Sequence, residues 1–541
     1  MNKVYKKTLG LLILALFIGL VTSGVNGYMS LLMRDLVDQS FLPGREGFSL
    51  IAWRLVIFAV ILFFMQTLLS IAKGHYRRKT NLNLKTAYLK GVFEKNINEF
   101  NKENNTKYVS HITNDLNTID MDYIDGIFEL VLAAISFLVI ITIIGGINME
   151  ILGVILVVTV LMALLSNALS KPVKKLFIER SALYEKYTNY LSEVLNAFRI
   201  IRVNNLYQRI EKNFEDRSLH LQGKSYQIEK TSTYIYAFQN FTINLTVLIV
   251  IAVSVYYTIL GELSFGGVIL ILSNFQSLIG PFQKAGELFP RIVSAKKLFE
   301  TLDESLKNHE VTDERVVIDG FNDEIRLEDV AYSYGENRVL EEVNLSIGKK
   351  KKYLIVGPSG GGKSTLLKLL RKYFAPNKGK ILVDGHNLSE ITKESFFKTI
   401  SNVEQSVFMF DDTLRNNLTL YRDISEKKLI SSVREAGLSH FVDKLPKGME
   451  TVIEDNGRNI SGGERSRIAI ARALLNESDI LILDEAFQSL DYDTAREIEK
   501  TILSLEHLTV LNVSHIIIEE NRDLYDDVLY VDERKVRIST I

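Results

Sequence analysis

Apolar and polar positions fall into two regimes along this chain. Before about residue 290, long runs of Leu, Ile, Val and Phe are broken only by short charged stretches; beyond it, apolar runs shrink to four or five residues and alternate with charged, glycine-bearing text. A helix needs roughly 20 apolar residues to cross a bilayer's hydrocarbon. Six runs approach that length: Thr8 to Met33, Leu55 to Ala72, Leu130 to Met149, Ile151 to Ser170, Thr231 to Gly261 and Leu263 to Gln283. Six such runs bounded by charges predict membrane spans rather than buried helices of a soluble protein. The first is too long for the core of a cleaved leader and lacks a small-x-small exit, so it is expected to be retained.

Basic residues set the orientation. Lys3, Lys6 and Lys7 precede the first span, which predicts a cytoplasmic N-terminus. The loop Asp35 to Ser49 carries Asp35, Asp38 and Glu46 against Arg45, and the short connections Gly145 to Glu150 and Gly261 to Gly267 hold no Lys or Arg; all three suit the outer side. The other two connections, Lys73 to about Asp125 and Lys171 to Lys230, are long and basic. In them Leu82, Leu84, Leu89, Val92 and Phe93 recur at near-helical spacing, as do Leu183, Tyr187, Leu191, Val194 and Leu195. Helices two to five are therefore expected to run on into the cytoplasm and turn at two tips, Ser110 to Thr118 and Ala197 to Tyr207, where they can touch another domain. Asn26, Gln66, Gln239, Asn240, Asn244, Asn274 and Gln276 lie inside the runs. Amides are costly in lipid, so they should face other helices or a wet path for cargo.

The second regime reads as an α/β domain after a polar linker. Tyr353 to Val356 is a buried strand by composition. It leads into Gly357-Pro358-Ser359-Gly360-Gly361-Gly362-Lys363-Ser364-Thr365 and a helical stretch, Leu366 to Tyr373. This is G-x-x-x-x-G-K-[ST] between a strand and a helix, the setting that makes it a phosphate-binding loop. Glycines let backbone N–H groups wrap phosphates at a helix N-terminus, Lys363 reaches the β- and γ-phosphates, and Ser364 can hold Mg²⁺. A second apolar strand, Ile480 to Leu483, ends in Asp484-Glu485. Asp484 there suits Mg²⁺ through water, and Glu485 is placed to polarise an attacking water. Between these strands lies Ser461-Gly462-Gly463-Glu464, opening an alanine-rich helix, Ile468 to Leu475. Ser461 is an N-cap type, and this helix end is an anion site with no anion of its own.

Composition narrows the classes. The 541 residues carry 64 Lys and Arg against 65 Asp and Glu, a net charge of -1, which gives no basic face for nucleic acid. There is no cysteine, which removes disulfides, thiolate metal sites and cysteine nucleophiles, and the eight histidines show no i, i+4 metal pair.

Ser461-Gly462-Gly463-Glu464, followed by Arg467 and Ala469-Ile470-Ala471-Arg472-Ala473, resembles the signature of ATP-binding cassette proteins. That resemblance extends over nearly the whole chain and implies a half-size exporter: an all-α six-helix transmembrane domain followed by an α/β P-loop NTPase domain. The corresponding boundaries are 1–303, a linker at 304–323, and 324–541. It implies ATP with Mg²⁺ as ligands and a dimer in which the signature of one subunit meets the γ-phosphate bound to the other. Tyr334 matches the aromatic that stacks on adenine, and Gln405 the glutamine that senses Mg²⁺ and the membrane domain. Asp491, in Ser489-Leu490-Asp491, lies in the loop that crosses the dimer interface, and His515 matches the switch histidine at the γ-phosphate. Gln488, Ile460 and Glu464 stand where alanine, leucine and glutamine are usual, and Ile453 to Gly457 follows only part of the stretch that touches the membrane domain. The extension tips, near Asn114 and Asn204, would carry coupling helices.

The implied activity is ATP-driven export of a peptide, lipid or amphipathic small molecule by alternating access, from a multi-pass position in the cell membrane. The partner is a second copy or a related half-transporter. The rival readings are the catalytic half of a heterodimer, an importer of the same layout, and a membrane ATPase regulator that moves no cargo. No cysteine–histidine peptidase precedes the first span, which sets aside cleavage-coupled peptide export.

Overall fold

The computed structural model describes residues 7–41, 47–308, 314–515 and 517–540. Lys3 and Lys6 before the first span, Arg45 and Glu46 of the outer loop, and linker residues 309–313 lie outside the described residues. The chain divides into two compact units, Met1–Lys95 with Glu103–Lys307, and Asn96–Lys102 with Asn308–Ile541.

The first unit is helical. α1 covers Leu9–Ser40, α2 Phe48–Phe93, α4 Asn105–Gly145, α5 Met149–Asn196, α6 Phe198–Val203, α7 Tyr207–Ile259 and α8 Phe265–Ser305; the short α3, Ile97–Asn101, falls between α2 and α4 in the chain and belongs to the second unit. α1, α2, α4, α7 and α8 are each long and apolar enough to cross a membrane. α5 contributes the apolar stretch Met149–Val158; many side chains of its expected span, Ile151 to Ser170, lie outside the described residues. α2 and α7 have 46 and 53 residues, about 70 to 80 Å at 1.5 Å per residue. That is more than twice the hydrocarbon thickness, so over half of each helix continues outside it.

The tight hairpins arise where expected. Asn148 caps α5 by accepting from the N–H groups of Glu150 and Ile151, both at 3.0 Å. Ser264 caps α8 by accepting from Gly267 N at 3.1 Å. The turn between α5 and α7 falls at Ala197 to Tyr207, as the pattern predicts.

The other turn does not fall at Ser110 to Thr118. It lies at 94–104, some fifteen residues earlier. Asn96 and Asn104 adopt extended backbone ahead of α3 and α4, and the Asn104 side chain accepts from Thr106 N at 3.0 Å. The Asn104 cap thus fixes where α4 begins. The polar stretch taken for a tip stays helical through two π-helical segments, His111–Asp115 and Ile119–Ile124. The Thr113 and Thr118 hydroxyls donate to the carbonyls of Val109 (2.8 Å) and Asn114 (3.0 Å), so these polar residues are satisfied inside the helix.

The charges that end three of the apolar runs meet in space. Lys73 Nζ lies 2.6 Å from Glu129 Oε1 and 2.8 Å from Asp125 Oδ1, while Lys284 Nζ lies 2.7 Å from Glu129 Oε2. Arg77 Nη2 reaches Asp120 Oδ2 at 2.9 Å. Lys73 follows the second run, Glu129 precedes the third and Lys284 follows the sixth, so one level of the bundle marks one edge of the hydrocarbon, as a common boundary requires. Of the seven amides, Asn274 is buried between helices: its Nδ2 donates to Leu270 O at 2.9 Å and its Oδ1 accepts from Ser30 on α1 at 3.2 Å. The bond to Ser30 is interhelical.

The second unit has strands β1 Glu324–Tyr334, β2 Asn337–Gly348, β3 Lys352–Val356, β4 Lys378–Val383, β5 His386–Asn387, β6 Ile400–Val403, β7 Asp412–Thr413, β8 Val452–Ile453, β9 Ile480–Asp484, β10 Thr509–Val513, β11 Asp527–Asp532 and β12 Lys535–Thr540. Its helices are α9 Lys363–Leu370, α10 Lys393–Thr399, α11 Leu414–Thr419, α12 Glu426–Glu435, α13 Ser439–Lys444, α14 Gly462–Leu474 and α15 Tyr492–Leu503. An antiparallel sheet runs β2-β1-β4-β5, and a six-stranded sheet runs β12-β11-β3-β10-β9-β6. In the second sheet β11, β3, β10, β9 and β6 are parallel, and the central β3, β10 and β9 are buried on both faces and correspondingly rich in Val, Ile and Leu. Parallel strands put their carboxyl ends on one edge, which brings the loops after β3, β6, β9 and β10 together.

Near the end of α1, Asp38 Oδ1 accepts from Gly266 N at 2.7 Å in the first turn of α8. A Cβ on Gly266 would lie 2.2 Å from Arg34 O. Gly266→Ala is expected to cost about 1–3 kcal/mol through overpacking, read as a lower thermal midpoint in lipid discs; an unchanged midpoint would contradict this packing.

Candidate active site

The phosphate loop is shaped by backbone crowding. Gly357 follows β3 with φ of 152°, and a Cβ there would stand 2.1 Å from Val531 O at the end of β11. A Cβ on Gly361 would stand 2.8 Å from the same oxygen. Only glycine lets the loop pass this close, and the loop then turns through Gly360 and Gly362, both at positive φ, into α9. α9 begins at Lys363, three residues before the stretch read as helical, and ends at Leu370. The cradle fits a nucleotide phosphate chain: a helix N-terminus, small residues and a cation face one space. Lys363 Nζ is folded over the loop, donating to Gly357 O at 2.8 Å and Pro358 O at 3.0 Å. Burial pushes its ammonium below the usual range, and the nearby Glu485 and Asp484 carboxylates oppose that. Ser359, Ser364 and Thr365 lie on the same loop and first helical turn.

At the end of β9, Glu485 takes a left-handed φ of 53° and its N–H is tied to Val513 O of β10 at 2.9 Å. This strained turn aims the side chain into the loop cluster. Glu485 Oε2 accepts from Gln405 Nε2 at 2.8 Å, and Glu485 Oε1 lies 3.0 Å from His515 Nε2. Gln405 follows β6 and His515 follows β10, so three expected site residues converge on one carboxylate. Asp484, one residue earlier, pairs with Arg371 Nη1 at 3.3 Å. Burial pushes the Asp484 carboxyl up, and the Arg371 guanidinium opposes it. Ser364, Gln405 and Asp484 supply hydroxyl, amide and carboxylate oxygens, the hard donors Mg²⁺ takes.

Ser461 is the N-cap of α14. Its hydroxyl accepts from Glu464 N at 3.2 Å and its own N–H donates to Glu464 Oε2 at 2.7 Å, a complete capping box. The helix therefore begins at Gly462, earlier than its alanine-rich part suggests. Gly463 lies close under the loop before α15, where a Cβ would be 3.1 Å from Ser489 O, and the Ser466 and Ser489 hydroxyls meet at 2.7 Å. Asp491 caps α15, accepting from Thr494 N at 3.0 Å, and these bonds hold its carboxyl below the usual range. The structure does not bring Ser461 to Glu464 and Asp491 into hydrogen-bond or salt-bridge contact with Glu485, Gln405 or His515 among the described residues.

Tyr334 is half exposed and stands edge-on to Phe374, with ring centroids 5.8 Å apart, while Tyr332 stacks on Phe374 at 5.2 Å. This aromatic cluster was only partly legible, since Phe374 follows the phosphate-loop helix with no motif to mark it. Arg371 was missed too. It is buried at 4% side-chain exposure, and its Nε and Nη2 have no hydrogen-bond partner. Its signal was weak: a lone arginine two residues before the aromatic Tyr373 in a basic stretch.

Comparison with known proteins agrees with this geometry. A family model described as ABC transporter matches residues 340–488, and one described as ABC transporter transmembrane region matches 9–282. An uncharacterized ABC transporter ATP-binding protein of Bacillus subtilis (strain 168), YwjA, is 28% identical over 491 residues, covering 88% of this chain and 84% of the relative. The ATP-dependent lipid A-core flippase of Syntrophus aciditrophicus (strain SB) is 26% identical over 92% of this chain and 84% of its own. That of Desulfotalea psychrophila (strain LSv54 / DSM 12343) is 25% identical over 93% and 89%. A bacterial Atm1-family ABC exporter solved with ATP bound shares the fold, with a TM-score of 0.84 and 19% identity over 98% of this chain and 95% of that one.

Two substitutions test the cradle. Lys363→Ala is expected to weaken ATP binding by at least about tenfold, the loss of a charge-assisted contact; undiminished affinity would contradict the loop's assignment. Arg371→Met, similar in reach but uncharged, is expected to shift the Mg²⁺ dependence of nucleotide binding while leaving Mg²⁺-free binding in place. An unchanged Mg²⁺ titration would remove Arg371 from the site.

Proposed function

The chain belongs to the ABC transporter family, and from that premise we propose that it is a half-size exporter that works as a pair of identical chains. It is a multi-pass membrane protein that hydrolyses ATP to drive transport. In this reading 1–303 form the membrane domain, 304–323 the linker and 324–541 the motor, with the N-terminus and the motor cytoplasmic. The carrying observation is Glu485, held between Gln405 and His515 at the end of a strand beside the phosphate loop.

Each residue has a part. Loop N–H groups and Lys363 bind the β- and γ-phosphates, and the cluster of Tyr334 and Phe374 stacks against the adenine. Ser364, Gln405 and Asp484 would hold Mg²⁺, which screens phosphate charge when bound. Glu485 takes the proton of the attacking water, and His515 holds Glu485 on one side and the γ-phosphate on the other. The capped end of α14 offers N–H groups and a positive dipole, and the one carboxylate of its first turn, Glu464, is engaged on the Ser461 N–H. A second copy supplies a further anion: Ser461, Gly462, Gly463 and Glu464 of one chain close over the γ-phosphate held by the other, with Asp491 at the interface. ATP prefers the closed pair, and that difference in affinity is the free energy available to turn the membrane domain outward.

Lipid is the cargo class we favour. Relatives named lipid A-core flippases align over most of both chains, and an amphipathic lipid suits a path built from apolar helices with scattered amides.

The test is ATP turnover by this chain alone in lipid discs, beside Glu485→Gln. Wild-type activity, with Glu485→Gln binding ATP but turning over about 10² to 10⁴ times slower, is the expected result. Near-normal turnover in Glu485→Gln would sink the assigned base. Silence in a wild type that still binds ATP would replace the identical partner with a different half-transporter.

A further inference from the structure

Behind Glu485 and His515 lies a buried carboxyl that the mechanism above does not use. Glu499 projects from α15 and is 3% exposed. Its Oε1 accepts from Asn512 Nδ2 at 3.0 Å and from the Tyr525 hydroxyl at 2.7 Å; its Oε2 accepts from Asn521 Nδ2 at 2.8 Å. Asn512 Nδ2 also donates to the Tyr525 hydroxyl at 2.6 Å, and Asn521 Nδ2 to Arg496 O at 2.9 Å. Asn512, Asn521 and Tyr525 are themselves buried. Among the described residues, no cation pairs with Glu499.

Leaving a carboxyl in such a place is costly, and an apolar side chain of similar size would pack there without that cost. What the group gains is connection. α15 is capped by Asp491, the residue assigned to the interface between copies. Asn512 lies on β10, three residues before His515. Asn521 and Tyr525 lie on the segment that leads from His515 to β11. A cavity of about 100 Å³ is lined by Glu499 together with Glu485, His515 and Tyr492, so the network borders the catalytic carboxylate's own space.

We propose that Glu499 is a positioning residue: its ionised carboxylate ties the helix that follows Asp491 to the strand that presents His515, so that closure at the interface is felt at the switch histidine. This rests on the functional reading above.

The donor pattern specifies the charge state. All three neighbours donate, which only an acceptor-only carboxylate satisfies fully. A protonated Glu499 needs an acceptor, and the buried Asn512 Oδ1 has no partner. Turning the Asn512 amide supplies it, but withdraws Nδ2 from Glu499 and Tyr525. Protonation therefore rewires β10 near His515. The groups that face Glu499 are Asn512 from β10, Asn521 and Tyr525 from the segment before β11, Arg496 through its backbone only, and, across the cavity, Glu485, His515 and Tyr492. Burial pushes the Glu499 carboxyl above the usual range, so the rewiring falls nearer neutrality than for an exposed glutamate.

The experiment measures kcat and KM for ATP against pH, in full-length protein in lipid discs, for wild type, Glu499→Gln, Tyr525→Phe and Glu485→Gln. Glu499→Gln mimics the protonated group. It is expected to lower kcat by roughly tenfold, a size usual for coupling within one hydrogen-bonded network, to leave KM within about twofold, and to lose the acidic limb of the profile. Tyr525→Phe removes one donor to the carboxylate and is expected to move that limb to higher pH. It carries the test even where Glu499→Gln does not fold. A wild-type kcat and profile in Glu499→Gln, or an unmoved limb in Tyr525→Phe, would overturn the proposal, and with Glu485→Gln still inactive would leave the catalytic reading standing. Full activity in Glu485→Gln would instead remove the reading on which this rests.

Discussion

The motor domain turns on how one carboxylate is held. Glu485 sits in a backbone conformation unfavourable to its side chain, tied by its N–H to β10 and by its two oxygens to Gln405 and His515. Those three residues follow three neighbouring parallel strands, β9, β6 and β10. Strain at one turn thus gathers three loops at the mouth of a fourth, the glycine loop, whose path is fixed by the approach of Gly357 to Val531 O. Each of these contacts depends on the parallel sheet keeping its register, which its buried aliphatic strands enforce.

What the gathered residues lack is as informative. The N-terminus of α14 is fully capped within its own chain, its glycines keep the amides accessible, and Gly463 is pressed against the loop before Asp491. A positive helix end opened by two glycines, with its own Glu464 carboxylate engaged on the Ser461 N–H, is half of a binding site in the dimer proposal. The phosphate cradle, with its lysine turned inward onto loop carbonyls, is the other half. The dimer proposal joins the two, and the buried Glu499 network gives a physical route from that junction back to His515.

Much of this was legible in the sequence because it depends on local rules. Spans follow from run length, and the phosphate loop from glycine, lysine and serine at fixed spacing between strand and helix. Glu485 follows from a carboxylate just past an apolar strand. Where the reading failed, a competing local rule had been underweighted. The first of the two long-connection turns was put at Ser110 to Thr118, whereas the chain turns about fifteen residues earlier, where Asn104 caps the following helix, and Thr113 and Thr118 bond back into their own helix. What the sequence did not disclose depends on tertiary encounters between residues far apart: Arg371 with Asp484, Glu499 with Asn512 and Tyr525, and the meeting of Lys73, Glu129 and Lys284 at one level of the bundle. No spacing rule encodes such pairs, although the charges at the ends of three runs hinted at the last.

The central claim is that two copies complete each other's nucleotide sites, and the chain's own composition makes it directly testable. With no native cysteine, Ser359→Cys and Ser461→Cys can be placed together in one chain carrying Glu485→Gln and oxidised with and without Mg²⁺-ATP. The account predicts a disulfide-linked dimer that forms with ATP and not without it. A chain that binds ATP yet stays monomeric on oxidation, or crosslinks equally well without nucleotide, would contradict it.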